Sequence, residues 1–156
     1  MAAPMLEQAH TLLQTGQADE ALPIARKAML CLAAPSVATA LKLPALELLG
    51  EIHIELGDSD EARKMFEAAV DLDPEGMIEG ISGGGADRFL WLAQLSENGG
   101  EESVAWFHKG AAVLRRELGL TAIAESEEEE VVIITKRYKL ANALCGAAEV
   151  YMTDLS

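Results

Sequence analysis

The chain has 156 residues and a formal charge of −14 at pH 7, with 12 Lys and Arg against 26 Asp and Glu. This length predicts one domain, and no apolar run reaches the roughly 18 residues that a membrane-spanning helix needs. The acidity argues against direct binding of nucleic acid, which depends on basic side chains that meet phosphates. Half of the residues are apolar but only 4% are aromatic. This composition favours an all-α protein of closely packed helices.

The first predicted element is a pair of helices at residues 3–34. Its positions follow the small, bulky, turn, small, small order of a tetratricopeptide repeat: Ala9, Leu12, Gly16, Ala21 and Ala28. The position that the repeat gives to an aromatic residue holds Ala25, so this match is the weaker one.

The second predicted repeat, residues 44–76, carries nine matches in order: Leu46, Leu49, Gly50, His53, Gly57, Ala62, Phe66, Ala69 and Pro74. Gly50 and Ala62 let two antiparallel helices approach closely. The turn glycines of the two repeats are 41 residues apart, against about 34 in the ideal unit. We expect Ala33–Lys42 to add turns to the front of this repeat, and Pro44 to kink or break its first helix.

A third repeat is predicted at residues 86–118, after a Gly-rich insertion at residues 75–87 that lacks periodicity and predicts a loop. One register uses Leu92, Ala93, Gly100, Ala105 and Ala112. A shift of two residues in the second helix would place Phe107 and Gly110 at the aromatic and small positions instead. The sequence leaves both registers open.

A truncated fourth repeat is predicted at residues 126–156. Ser126 is expected to cap a helix whose first turn is Glu127–Glu130, since carboxylates favour the positive end of the helix dipole; the alternative is an acidic binding tail. The β-branched run after it is expected to be helical. Because the second helix of this repeat is missing, we expect either a natural chain that continues past Ser156 or an exposed C-terminal helix.

No residues indicate catalysis. The histidines fall in different repeats, and His53 occupies a core position of the repeat. The pattern predicts no catalytic residue, no cofactor and no metal site. Cys31 and Cys145 are isolated and are expected to be buried free thiols.

A partner-binding groove is predicted instead. In tetratricopeptide arrays the first helix of each pair lines the concave side. Glu47, Glu51 and Glu55 are spaced i, i+4, i+8 and fall on one face of such a helix. The full set of predicted partner-binding residues is Glu47, Glu51, Glu55, Asp87, Leu90, Gln94, Glu97, Glu149 and Met152. Such a surface would attract a basic partner; the alternative is a solvated face without a partner.

Four segments of the chain resemble the fungal-type family of tetratricopeptide-repeat assembly chaperones dedicated to large-subunit ribosomal protein L-four. Two of them, FLWLAQLSENGGEESVAWFHKGA and AEVYMTDLS, are not required by the repeat consensus. The resemblance implies an α-solenoid, a right-handed superhelix whose concave side holds the long, basic internal loop of the ribosomal protein. It also implies shielding from aggregation, delivery from cytoplasm to nucleus, and a longer natural chain.

Two other binding functions remain open. One is a scaffold or adaptor subunit of a multiprotein complex that uses the same groove or the convex face. The other is a co-chaperone that holds an acidic peptide, which would need Lys, Arg and Asn in the groove to clamp carboxylates. The acidic residues predicted there disfavour the second.

Overall fold

The computed structural model describes residues 1–97, 99–120 and 123–153 and contains seven α-helices and no strand within them. The helices are α1 (Ala2–Gln14), α2 (Ala18–Leu32), α3 (Thr39–Glu55), α4 (Ser59–Leu72), α5 (Asp87–Leu95), α6 (Gly100–Leu120) and α7 (Glu127–Thr153). The first six form the three predicted pairs. The prediction of an all-α fold is confirmed for the described residues. None of the described helices is both long and apolar enough to cross a lipid bilayer.

The chain divides into two compact units, each with its own core. Unit 1 contains residues Met1–Pro74 together with Ile78–Gly83, and unit 2 contains Glu75–Met77 together with Gly84 onward. The predicted loop insertion is therefore shared between the units. The prediction that residues 1–156 form one domain stays a prediction.

The first helix of each pair in unit 1 ends in the same glycine turn. Gly16 and Gly57 have φ angles of 80° and 78°, a region that glycine enters without steric cost. The amide of Asp58 donates to the carbonyl oxygen of His53 at 2.8 Å, and Gln17 does the same to Leu12 at 2.8 Å. These bonds satisfy helix-terminal carbonyls, and the two predicted turn glycines are confirmed.

Small residues let α3 and α4 approach closely in the core of unit 1. A Cβ atom placed on Gly50 would lie 2.6 Å from the ring of Phe66, which is fully buried. His53 is 5% exposed, so its predicted core position is confirmed.

Two expectations about the front of α3 are corrected. Pro44 lies inside α3 and does not break it, because the helix runs from Thr39 to Glu55, whereas the expected kink there stays a prediction. Residues 33–42 were expected to add helical turns to the front of the second repeat. Only residues 39–42 extend α3, and residues 33–38 form a non-helical connection.

The third repeat adopts the register shifted by two residues. Ala105 and Ala112 are exposed, whereas Ser103 and Gly110 are buried. The glycine with positive φ in this turn is Gly99, at 104°. The first register, with Gly100 as the turn, is wrong by this evidence of burial and backbone geometry.

Phe89 is an aromatic core residue of unit 2. Phe89 is fully buried, and its ring stacks on that of Trp106 with centroids 6.0 Å apart. The other aromatic residues of α5 and α6, Trp91, Trp106 and Phe107, are half-buried. Arg88 is also fully buried, a position for a charged side chain that the sequence pattern did not indicate.

Helix α7 begins as predicted. The Ser126 hydroxyl oxygen accepts a hydrogen bond from the amide of Glu129 at 3.2 Å, and the Glu129 carboxylate accepts one from the amide of Glu125 at 2.7 Å. These reciprocal bonds resemble a capping box. The β-branched run at residues 131–135 is helical. The last three residues of the predicted fourth repeat lie outside the described residues.

One face of α7 packs against α6, and the opposite side is exposed. Ile133, Ala143 and Ala147 are buried, whereas Ile134 and Tyr138 are 56% and 68% exposed. The expectation of an exposed C-terminal helix is confirmed for the described part of this helix.

The cysteine prediction is wrong, because Cys31 and Cys145 are both exposed. Exposure makes a thiol accessible to reagents that react with its thiolate form. We expect iodoacetamide to label both thiols of the folded protein without denaturant, as measured by mass spectrometry. Labelling that requires urea would contradict the exposed positions.

Candidate protein-binding surface

The acidic stripe predicted on α3 is not uniformly accessible. Glu47 is 2% exposed, Glu51 is half-buried and Glu55 is exposed. A Glu47 carboxylate oxygen accepts a hydrogen bond from the amide of Ile81 at 3.2 Å. Glu47 therefore holds part of its own chain, and its contact with a partner stays a prediction.

The insertion explains why Glu47 is buried. Gly80 lies against the Glu47 carboxyl group so closely that a Cβ atom there would overlap it. The half-buried side chains of Ile78 and Ile81 pack on two hydrophobic clusters of unit 1, and the amide of Ile78 donates to the Asp73 carboxylate at 2.8 Å. Residues 78–83 therefore cover α3 at Glu47.

Two of the predicted residues in unit 2 interact with their own unit. Lys139 of α7 donates to the Asp87 carboxylate at 2.9 Å, and the side chains are 30% and 16% exposed. This ion pair offsets the Asp87 charge. Leu90 is half-buried, and its side chain occupies the space that a Cβ atom on Gly110 would need.

The other predicted residues of unit 2 are exposed at the surface. Gln94 and Glu97 are exposed, and Met152 is 77% exposed. Gln94 from α5 and Glu149 from α7 line the same depression, which has a volume of about 330 Å³. The fold thus brings together two predicted residues that are 55 positions apart in sequence.

Unit 1 has a depression of its own among α2, α3 and α4, with a volume of about 410 Å³. Leu30, Leu46 and Met65 are among its lining residues, and none of the nine predicted partner-binding residues lines it. Glu61 also lines it. Lys64 donates to the Glu61 carboxylate at 2.9 Å, and this hydrogen bond lowers the pKa of that carboxyl from its ordinary value.

The described residues contain no group of three or more His, Cys, Asp or Glu side chains that could hold a metal ion. The surface of the described residues includes two depressions and exposed carboxylates. They suit contacts with an extended partner.

Comparison with known proteins agrees with the helix pairs. Residues 1–75 match the tetratricopeptide repeat family. A solved structure of an assembly chaperone of RpL4, Acl4 (residues 1–338), matches with a TM-score of 0.87 and 42% sequence identity. That match covers 98% of this chain and 55% of the other chain. The chain has the tetratricopeptide-repeat fold.

Two curated proteins are similar over 111 residues, which is 71% of this chain. A probable assembly chaperone of rpl4 from Emericella nidulans is 55% identical, and one from Schizosaccharomyces pombe is 34% identical. The aligned part is 28% and 29% of those proteins, so the chain spans well under two thirds of the relatives' length. The resemblance of this tetratricopeptide-repeat chain to that chaperone family is confirmed.

Proposed function

We propose that this protein is a dedicated chaperone that binds and shields rpl4, a basic ribosomal protein, for assembly of the large ribosomal subunit. The observation that carries the proposal is the similarity to proteins described as assembly chaperones of rpl4, at 55% identity in sequence and a TM-score of 0.87 in structure. In this proposal the protein is not an enzyme, and it acts in the cytoplasm and nucleus.

Charge supports a basic client. The net charge of −14 and the exposed carboxylates of Glu55, Glu97 and Glu149 attract a positive segment and repel the phosphates of RNA. A long basic extension of a ribosomal protein neutralises RNA once assembled, and before assembly it is prone to bind other polyanions. An acidic surface that holds this extension would prevent such binding, and the chaperone would contact rpl4 rather than nucleic acid.

A salt-dependent association rate is the first expected result. The full chain is mixed with a fluorescent peptide of the basic internal loop of rpl4 at several salt concentrations. Attraction between exposed charges is screened over about 8–10 Å near physiological ionic strength. Association should therefore slow as salt rises, while dissociation changes less.

A pair of matched variants locates the attraction. Glu51→Lys with Glu55→Lys reverses two carboxylates on α3, and Glu67→Lys with Asp71→Lys reverses two exposed carboxylates with the same spacing on α4. The α3 variant should bind the rpl4 peptide about tenfold more weakly, equivalent to about 1.4 kcal/mol, and more weakly than the α4 variant. Circular dichroism should show equal helicity for both.

Four outcomes would contradict parts of the proposal. No binding of rpl4 at any salt concentration would overturn the chaperone function, and several stoichiometric neutral partners in a pull-down would favour an adaptor. Equal losses for the two variants would show that total charge, and not the α3 surface, attracts the client. A stable ternary complex with RNA on the same peptide would contradict shielding.

A further inference from the structure

The depression in unit 2 between α5, α6 and α7 is built from residues of different chemical kinds. Gln94 and Glu149 line it with exposed polar side chains, and Phe107 and Val150 contribute half-buried apolar ones. None of the described residues that line it is a lysine or arginine. Its volume of about 330 Å³ is at the low end for ligand pockets, so it suits one side chain of a bound protein better than a large cofactor.

Two contacts hold the walls of this depression in place. The buried Ser103 hydroxyl donates to the carbonyl oxygen of Ala93 at 2.7 Å, which joins α6 to α5. A Cβ atom on Gly146 would lie 2.7 Å from the Phe107 ring. The glycine therefore lets the ring lie directly against α7. The aromatic ring is thus positioned by the fold before any partner binds.

We propose that this depression binds an arginine side chain of the client's basic segment. A guanidinium group is planar, stacks on aromatic rings and presents several N–H donors at once to a carboxylate. Phe107 supplies a ring, Glu149 supplies a carboxylate and Gln94 supplies an amide oxygen that accepts a further hydrogen bond. The methylene groups of the arginine would pack on Val150.

Lysine fits the same residues less well. Its ammonium group is a compact, strongly hydrated point charge without a planar face to stack on a ring. The inference deepens the proposed function, on which it rests, by naming the side chain that this part of the acidic surface recognises.

The test compares arginine with lysine at equal charge. Fluorescein-labelled hexa-arginine and hexa-lysine peptides are titrated with the full chain, with Glu149→Gln and with Glu128→Gln. Glu128 is an exposed carboxylate on the same helix, near its other end, so its variant makes the same change in net charge. The rpl4 peptide and a version with every arginine replaced by lysine are titrated in parallel.

The full chain and Glu128→Gln are expected to bind hexa-arginine about tenfold more tightly than hexa-lysine, since a guanidinium group can stack on the Phe107 ring and donate two parallel N–H bonds to the Glu149 carboxylate, whereas an ammonium group cannot. Glu149→Gln should lose this preference. In a heteronuclear NMR spectrum, hexa-arginine should shift the side-chain amide signals of Gln94 and the methyl signals of Val150 more than hexa-lysine does.

An equal preference in Glu149→Gln and Glu128→Gln, or unchanged Gln94 and Val150 signals, would overturn the arginine site. If rpl4 binds and this preference is absent, the arginine site fails and the chaperone function stands. If rpl4 does not bind and the Glu149-dependent preference for arginine persists, the chaperone function fails and the arginine site stands.

Discussion

Replacing Glu47 by lysine is expected to destabilise unit 1 by more than about 1–3 kcal/mol, because a buried polar group left without a hydrogen-bond partner costs that much and a charged one costs more. The side chain is 2% exposed and accepts a hydrogen bond from the amide of Ile81. The lysine ammonium group would face the Ile81 amide in a desolvated site, so two hydrogen-bond donors would meet without an acceptor. Urea unfolding followed by circular dichroism measures the loss.

Two further variants make this result specific. Glu55→Lys makes the same charge change at an exposed position of the same helix and should stay within about 0.5 kcal/mol of the parent. Glu47→Gln keeps an oxygen that can accept from Ile81 and should lose less stability than Glu47→Lys. If Glu47→Lys proved as stable as Glu55→Lys, Glu47 would have to be accessible to solvent, and its predicted role as a partner contact would return.

Replacing Gly50 by leucine is the second change with a large expected effect. Three atoms of the Phe66 ring lie within 3 Å of where a Cβ atom would stand. Both residues are buried in the α3–α4 packing, so the helices must separate. Overpacking of this kind costs about 1–3 kcal/mol, and even Gly50→Ala should destabilise because its Cβ atom alone collides with the ring.

The control is another helical glycine. Gly119 in α6 has open space where a Cβ atom would stand, with no contacting atom within 4 Å. Gly119→Ala should therefore stabilise by about 0.4–1 kcal/mol through lower entropy of the unfolded chain. Opposite signs for the two alanine variants, measured as shifts in the urea midpoint, are the expected result. Equal signs would contradict close contact between α3 and α4 at Gly50.

The nine predicted partner-binding residues differ in exposure and in their contacts within the chain. Glu47 holds residues 78–83, Asp87 pairs with Lys139, and Leu90 packs beside Gly110. The other six are the half-buried Glu51 and five exposed residues, Glu55, Gln94, Glu97, Glu149 and Met152. Whether any of the nine contacts a client stays a prediction.

The local features of the fold could be predicted from the sequence because they depend on near neighbours. Gly16 and Gly57 mark the turns, since a left-handed backbone after a helix favours glycine whatever surrounds it. Ser126 marks the start of α7 for a similar reason, because its hydroxyl oxygen accepts from an amide three residues away. Gly50 and Ala62 indicated a close helix crossing from their spacing within one repeat.

The features that the sequence left open depend on contacts between distant residues. Glu47 meets Ile81 34 positions later, and Asp87 meets Lys139 52 positions later. The repeat pattern assigns no position to the insertion that covers Glu47, and it does not indicate that both cysteines are exposed. Helical periodicity placed Glu47, Glu51 and Glu55 on one face of α3. Burial depends on what covers a face, so only the packing of residues 78–83 against α3 decided that Glu47 is buried.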